Sequence, residues 1–183
     1  MIPKMNIVAW SRTAPWPEDR QVEQDLVVCR ALVEIFKDDF LKKELRFRGG
    51  TALNKLHFPK AYRYSEDIDL TRTTGGNVGP ILTRLREVLE PWMGKAHYDL
   101  GEIGPRLTFT MKAEDENAAQ PIRVKVEIAT RERTAYDGEK LQAFDVKNPW
   151  FTGKAGYRHL LARGDPRDQA ARAAPARQGQ GSR

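Results

Sequence analysis

The amino-acid sequence predicts one mixed α/β or α+β domain in which short strands alternate with helices. Apolar residues recur at helical spacing in residues 21–37 and 77–93. They alternate with polar residues in residues 106–112 and 122–129, which is the pattern of half-buried strands. The length of 183 residues suits one domain with a small appendage. No internal repeat is present, and the predicted order of elements is α-β-α-β-α-β-β.

In the N-terminal half, the first predicted helix spans residues 21–37. Its apolar stripe consists of Val22, Leu26, Cys29, Val33 and Phe36. The short alternating segment 45–48 predicts a strand that ends at a pair of glycines, and residues 51–58 predict a short helix.

In the C-terminal half, Ile68 and Leu70 alternate with two aspartates and predict a second strand. The helix predicted over 77–93 tolerates Pro80 in its first turn. Strands over 106–112 and 122–129 follow, joined by the polar loop AEDENAAQ, and residues 141–146 predict one more strand.

Composition limits the function classes. The formal net charge is +6, but six arginines lie within residues 156–183, so the rest of the chain is close to neutral. Charge alone therefore does not indicate a nucleic-acid-binding protein. No apolar run has membrane-spanning length and no signal-peptide core is present, so we expect a cytoplasmic protein without membrane contact. The single cysteine, Cys29, lies on an apolar stripe and is expected in the core.

A pair of carboxylates marks the second predicted strand. Asp67 and Asp69 project from the same face of a strand, about 7 Å apart, while Ile68 points to the other face. Such a pair can share one divalent cation or hold two. Glu127 lies on a strand of the same kind and predicts a third ligand for a magnesium site. The alternative is that these carboxylates face solvent and serve no ligand.

A glycine turn precedes this pair. Gly49, Gly50 and Thr51 follow a strand and open a helix, where free backbone N–H groups bind phosphate well. The hydroxyl of Thr51 can cap the helix or donate to a phosphate oxygen. The alternative is a tight turn without a ligand. Together with S-E-D-I-D-L about sixteen residues later, the turn predicts phosphoryl or nucleotidyl transfer.

The stretch FRGGTALNKLHFPKAYRYSEDIDL closely resembles the first motif of the AbiEii/AbiGii toxin family. The N-terminal leader and the later IRVKVEIATRE are also similar to that family. The resemblance covers roughly residues 1–155. It implies a polymerase-beta-like nucleotidyltransferase core with a mixed sheet and flanking helices. It also implies a nucleoside triphosphate (NTP) substrate, Mg²⁺ as cofactor, an acceptor hydroxyl that includes RNA or tRNA ends, and a cognate antitoxin as partner.

The resemblance also assigns residues. Asp67, Asp69 and Glu127 match the family's catalytic and metal-binding carboxylates, and Gly50 and Thr51 match its glycine hairpin. Lys125, beside Glu127, is expected to meet the triphosphate.

Three further candidates have open alternatives. Lys55 either reaches a phosphate or is an exposed helix lysine. Arg63 and Ser65 either contact the nucleotide or anchor the loop before the aspartates. The histidines show no metal-ligand spacing: His57, His97 and His159.

The family's helical C-terminal half has no counterpart here. Residues 156–183 are rich in arginine and alanine and predict a disordered tail. A shifted reading frame permits a string that resembles the missing helix, so a frameshift near Ala155 is our hypothesis, with a native tail as the alternative. Two other functions stay open: a catalytically dead remnant that only binds nucleotide or antitoxin, and a structural α+β binding module.

Overall fold

The computed structural model describes residues 1–14, 16–49, 51–52, 55, 64–115, 120–130 and 139–160. Four helices and seven strands have bounds within these described residues, and they follow each other in an order that matches the predicted mixed α/β class. The elements are, in chain order, α1 (Lys4–Trp10), α2 (Asp19–Lys37), α3 (Asp39–Glu44), β1 (Leu45–Arg48), β2 (Asp67–Arg72), α4 (Gly79–Met93), β3 (His97–Leu100), β4 (Pro105–Met111), β5 (Ile122–Ala129), β6 (Glu139–Asn148) and β7 (Phe151–Leu160).

The strands form one mixed sheet of seven strands in the order β3-β4-β5-β2-β1-β7-β6. The pairs β2–β5 and β1–β7 are parallel, and the other neighbours are antiparallel. The strands β2 and β5 therefore lie side by side in the middle of the sheet, although β3 and β4 separate them in the sequence.

One face of the sheet is covered by helices. The fully buried side chains of Ile68, Leu70 and Val126 point to this face, where α2 contacts β2, β5 and β7. Phe36 of α2 packs edge-on against Tyr157 of β7, with ring centroids 4.7 Å apart. The alternating apolar residues of the strands thus bury one face and leave the polar residues on the other.

The predicted helices over 21–37 and 77–93 correspond to α2 and α4, and Cys29 is buried in the core as expected. Burial raises the pKa of the Cys29 thiol to about 12, so this group is an inert thiol. Of the helix predicted over 51–58, the described positions Thr51, Ala52 and Lys55 are helical.

Four elements were not predicted: α1, α3, β3 and β7. Asp38 caps α3 by accepting a hydrogen bond of 2.9 Å from the Leu41 amide. Strand β7 continues to Leu160, past the boundary that the sequence placed at residue 155, and Tyr157 is fully buried. Residues 156–160 therefore belong to the sheet, which corrects the predicted start of the tail. Residues 161–183 lie outside the described part of the chain.

No helix among the described residues is long and apolar enough to span a membrane.

Candidate active site

Three carboxylates share the open face of the central parallel strands. Asp69 of β2 lies opposite Glu127 of β5 in the parallel register, and Asp67 lies opposite Lys125. All four side chains are partly exposed, whereas the intervening Ile68 is fully buried on the helix-covered face. The structure thus brings Asp67, Asp69 and Glu127 onto one face, as the alternation of their strands predicted.

Electrostatics make this face receptive to a cation. Burial, followed by the negative charge of Asp67, raises the pKa of Asp69 above its ordinary value, and the charge of Glu127 adds to this effect. Arg48, opposite Asp69 in the β1–β2 register, partly offsets the rise in pKa. Because the ionised form of Asp69 is disfavoured, a bound divalent cation would relieve a real electrostatic cost.

The backbone after β1 lies directly against Asp69. Gly49 has φ of +78°, a conformation that other residues rarely adopt. A Cβ atom at this position would lie 2.3 Å from Oδ2 of Asp69, so a side chain there would displace the carboxylate. Glycine is therefore required at this position both for conformation and for space. Gly50, the second glycine of the predicted phosphate cradle, lies outside the described residues.

Thr51 connects the glycine turn to strand β2. Its hydroxyl donates a hydrogen bond of 2.7 Å to Oγ of Ser65, which also accepts one of 3.3 Å from the Asp67 amide. The hydroxyls of Thr51 and Ser65 thus join the segment after the glycine turn to the start of β2, and nucleotide contacts by Thr51 and Ser65 stay predictions. Arg63, predicted with Ser65, lies outside the described residues.

A buried glutamine of α2 contacts the residues that precede β2, which the sequence did not predict. Gln24 donates to Oε2 of Glu66 at 3.3 Å and accepts a hydrogen bond from the Tyr64 hydroxyl. Glu66 is also bonded to Nζ of Lys125 at 2.9 Å. Although burial opposes it, the hydrogen bond from Lys125 lowers the pKa of Glu66.

Lys125 faces the first of the two aspartates as well. Its Nζ lies 3.4 Å from Oδ1 of Asp67, an ion pair without hydrogen-bond geometry. Chiefly through its hydrogen bond to Glu66, Lys125 has a raised pKa. It therefore carries positive charge beside the carboxylates, and its contact with a triphosphate stays a prediction.

The turn between β3 and β4 holds Glu127. The Ile103 amide donates a hydrogen bond of 3.1 Å to Oε1 of Glu127. A Cβ atom on Gly101 would lie 2.0 Å from the same oxygen. Neither Ile103 nor Gly101 was predicted from the sequence. The two glycines of the GEIG turn between Leu100 and Pro105 were the available signal.

Of the candidate ligands, Asp67 and Asp69 are the two that suit a magnesium ion. Oδ1 of Asp67 is buried without a hydrogen-bond partner, and carboxylate oxygens are the ligands that Mg²⁺ prefers. Within the described residues, no group of three or more histidine, cysteine or acidic side chains is gathered for metal binding. Glu127 instead bonds to the Ile103 amide. Asp67 and Asp69 thus fit a divalent cation, with Glu127 beside them.

Lys55 occupies a position that the sequence analysis did not anticipate. Its Nζ pairs with Oδ1 of Asp25 on α2, and the two side chains are only 12% and 4% exposed. The expectation of an exposed helix lysine is wrong. A role of Lys55 in phosphate binding stays a prediction.

Comparison with known proteins places these residues in a family context. The sequence model of a family described as the nucleotidyl transferase AbiEii toxin of type IV toxin–antitoxin systems matches residues 30–147. The match includes β1, β2 and β5, which carry the glycine turn and the three carboxylates. No curated protein matches the chain.

Two solved structures share the fold. The nucleotidyltransferase toxin MenT4 from Mycobacterium tuberculosis superposes with a TM-score of 0.62 at 15% identity and covers 94% of this chain. JHP933 from Helicobacter pylori superposes with a TM-score of 0.50 at 17% identity over 91% of this chain. The matches span 59% and 61% of those two proteins. At these identities the likeness establishes the fold alone.

Proposed function

Because the chain belongs to the AbiEii family of nucleotidyltransferase toxins, we propose that it transfers a nucleotide from an NTP to an acceptor hydroxyl with the help of Mg²⁺. The observation that carries this proposal is the aspartate pair on the open face of β2, with Asp69 pressed against Gly49 at the start of the glycine turn. The turn and the carboxylates are the two parts that nucleotidyl transfer needs in one place.

Each residue has a defined part in this proposal. Asp67 and Asp69 would hold the metal, and a divalent cation bound there would supply positive charge to the triphosphate. Gly49, Gly50 and Thr51 bring backbone N–H groups to the phosphates. Arg63 and Ser65 stay predicted nucleotide contacts.

Lys125 and Glu127 have separate parts in the proposed reaction. Lys125 places a positive charge next to Asp67, where the triphosphate would enter. Glu127, fixed by the Ile103 amide, orients the acceptor hydroxyl or shares the metal. The acceptor oxygen forms a bond to the α-phosphorus, the bond from the α-phosphorus to the bridging oxygen breaks, and pyrophosphate leaves. The hydroxyl proton passes to a carboxylate or to water.

The partners follow from the family. Type IV toxins act together with an antitoxin, and we propose that a cognate antitoxin counteracts this chain. RNA ends, including those of tRNA, offer hydroxyl groups of the required chemistry and are the proposed acceptors. The proposed compartment is the cytoplasm, where NTPs and RNA meet.

The direct test is nucleotide labelling. Purified chain is incubated with total RNA, Mg²⁺ and each NTP labelled at the α-phosphate in turn, and labelled RNA is measured after electrophoresis. Asp69→Asn should reduce labelling by at least about 100-fold, the scale on which loss of a transition-state electrostatic contact acts. The matched control is Asp145→Asn on β6, an exposed carboxylate far from the carboxylate pair in the sheet order, which should label RNA like the wild type. Equal labelling by both variants would refute the assignment of Asp69.

A chain that binds nucleotide without transferring it is the second candidate. The observation that favours it is the hydrogen bond that holds Glu127 on the Ile103 amide instead of in a three-carboxylate cluster. Binding of the NTP with Mg²⁺, measured by calorimetry, together with absent labelling of RNA would select this candidate.

A further inference from the structure

A buried carboxylate of α2 gathers donors from three separate segments of the chain. Asp25 accepts hydrogen bonds from the indole N–H groups of Trp10, at 2.9 Å, and Trp16, at 3.1 Å. Its third partner is the ammonium group of Lys55. Because Asp25 is only 4% exposed and all these partners are directional, its position is tightly defined.

Lys55 lies one helical turn after Thr51, and residues four apart lie on the same side of a helix. Both residues are tied to other elements. Thr51 donates to Ser65, which accepts from the amide of Asp67. The segment after the glycine turn is therefore attached at one end to the strand that carries the aspartates and at the other end to α2.

Stability alone gives no reason for an ion pair at this point. The neighbours of Asp25 on α2 include the buried apolar Val22 and Leu26, the buried polar Glu23 and Gln24, and Cys29, whose thiol donates to Oδ2 of Asp25 at 3.6 Å. Replacement of a buried ion pair by apolar residues of similar volume is often neutral or stabilising in proteins. In some proteins a buried ion pair is retained because it fixes the relative position of the two segments it joins.

We propose that Asp25 is a positioning residue for nucleotide binding. Clamped by Trp10 and Trp16, it holds Lys55 and thereby keeps Gly49 against Asp69 and Thr51 against Ser65, where the triphosphate binds. This inference rests on the proposed function for the identity of its ligand. It assigns Lys55 a structural attachment to Asp25 instead of a direct phosphate contact.

Three variants separate this proposal from its alternatives: Lys55→Met, Asp25→Asn and the double variant. The dissociation constant of an NTP with Mg²⁺ is measured for each by calorimetry. We expect each variant to bind roughly tenfold more weakly than the wild type, about 1.4 kcal/mol of binding free energy. The double variant should be no weaker than either single variant, because all three break the same contact.

Two other patterns would overturn the proposal. If Lys55 contacts phosphate directly, Asp25→Asn frees its ammonium group and leaves nucleotide affinity unchanged or improved, while Lys55→Met weakens it. If the pair only stabilises the fold, the double variant, which leaves no unpaired buried charge, regains the affinity of the wild type. Lys55→Arg, which keeps a cation for Asp25, should retain most of the affinity.

The matched control is Leu89→Ala in α4. Leu89 is fully buried, so the substitution lowers the melting temperature and leaves the dissociation constant unchanged. A loss of affinity in Leu89→Ala equal to that in the double variant would also refute the positioning role, because any destabilisation would then suffice.

Hydrogen exchange separates this inference from the proposed function. Amide exchange of a peptide that covers residues 51–55 is measured without nucleotide by mass spectrometry. It should become faster in Asp25→Asn/Lys55→Met and stay unchanged in Leu89→Ala. If the wild type binds no NTP, the proposed function fails, and this exchange measurement alone decides whether Asp25 holds the turn. Unchanged exchange in the double variant would disprove the clamp.

Discussion

The two faces of the sheet differ in what they do for the molecule. On the helix-covered face, Ile68, Leu70 and Val126 are fully buried and pack against helices. On the open face, Asp69 lies close to Asp67 and opposite Glu127, and burial, followed by the negative charge of Asp67, raises the pKa of Asp69. The same strands thus place stabilising contacts on one side and an electrostatic cost on the other. This difference indicates that the open face is arranged for a ligand and the covered face for stability.

The largest expected effect is on the covered face. Ile68→Ala removes buried methyl groups between two strands and α2, and should lower the free energy of unfolding by about 2–5 kcal/mol. Thr108→Ala is the matched change on the open face of β4, opposite Lys125. Its effect should be within about 0.5 kcal/mol. Urea denaturation of both variants measures the difference, and similar losses would mean that the two faces do not divide their roles in this way.

An intermediate effect is expected when the Asp69 carboxylate is removed, and this substitution should stabilise the protein instead of destabilising it. Since the folded pKa of Asp69 is raised, its ionised form destabilises the fold above that pKa, and the penalty disappears as the pH falls below the unfolded pKa of about 3.9. Asp69→Asn without metal should therefore melt higher than the wild type at pH 7. The difference should shrink as the pH approaches about 4.

Thermal unfolding of both chains from pH 7 to 4 in the presence of a chelator checks this prediction. The control is Thr108→Ala on the open face of β4, which removes no titratable group, so its difference from the wild type should not depend on pH in this way. A variant that melts lower than the wild type at pH 7 would show that Asp69 stabilises the free protein, contrary to the comparison of the two faces.

The smallest effect is expected at the edge of the open face. Arg106 of β4 forms a bidentate pair with Asp99 of β3, with distances of 2.9 and 2.7 Å. Both groups are solvent-accessible, so the pair contributes little to stability. Arg106→Met should unfold at the same midpoint temperature as the wild type, within the error of the measurement. A clear drop would mean that the open face also carries part of the stability of the sheet.

The elements that could be predicted from the sequence are those with a strong period. Strand β5 alternates apolar and polar residues through its whole length, and α2 repeats apolar residues at helical spacing. Strand β3 is exposed on both sides and shows no alternation. Strand β7 buries the small residues Gly153 and Ala155, which carry no strand signal. These strands form because they make hydrogen bonds with neighbouring strands. Such pairing cannot be read from the local sequence pattern.

Some features of the candidate site could likewise be predicted from the sequence, and others could not. The shared face of Asp67, Asp69 and Glu127 followed from the period of two along a strand. The attachment of Lys55 to Asp25 and of Gln24 to Glu66 did not, because each joins segments that are distant in the sequence and have no pattern in common. Predicting such contacts requires the arrangement of the elements in space.

The parallel pairing of β1 with β7 has a consequence for folding. Phe47 of β1 lies opposite His159 of β7, about 110 residues later in the chain. Contacts between such distant segments close large loops and slow folding. Until β7 has been synthesised, the far edge of β1 stays unpaired, and an open strand edge is prone to pairing with other chains. A growing chain therefore completes its sheet only after residue 160 is made, and the carboxylate site, one strand away, matures with it.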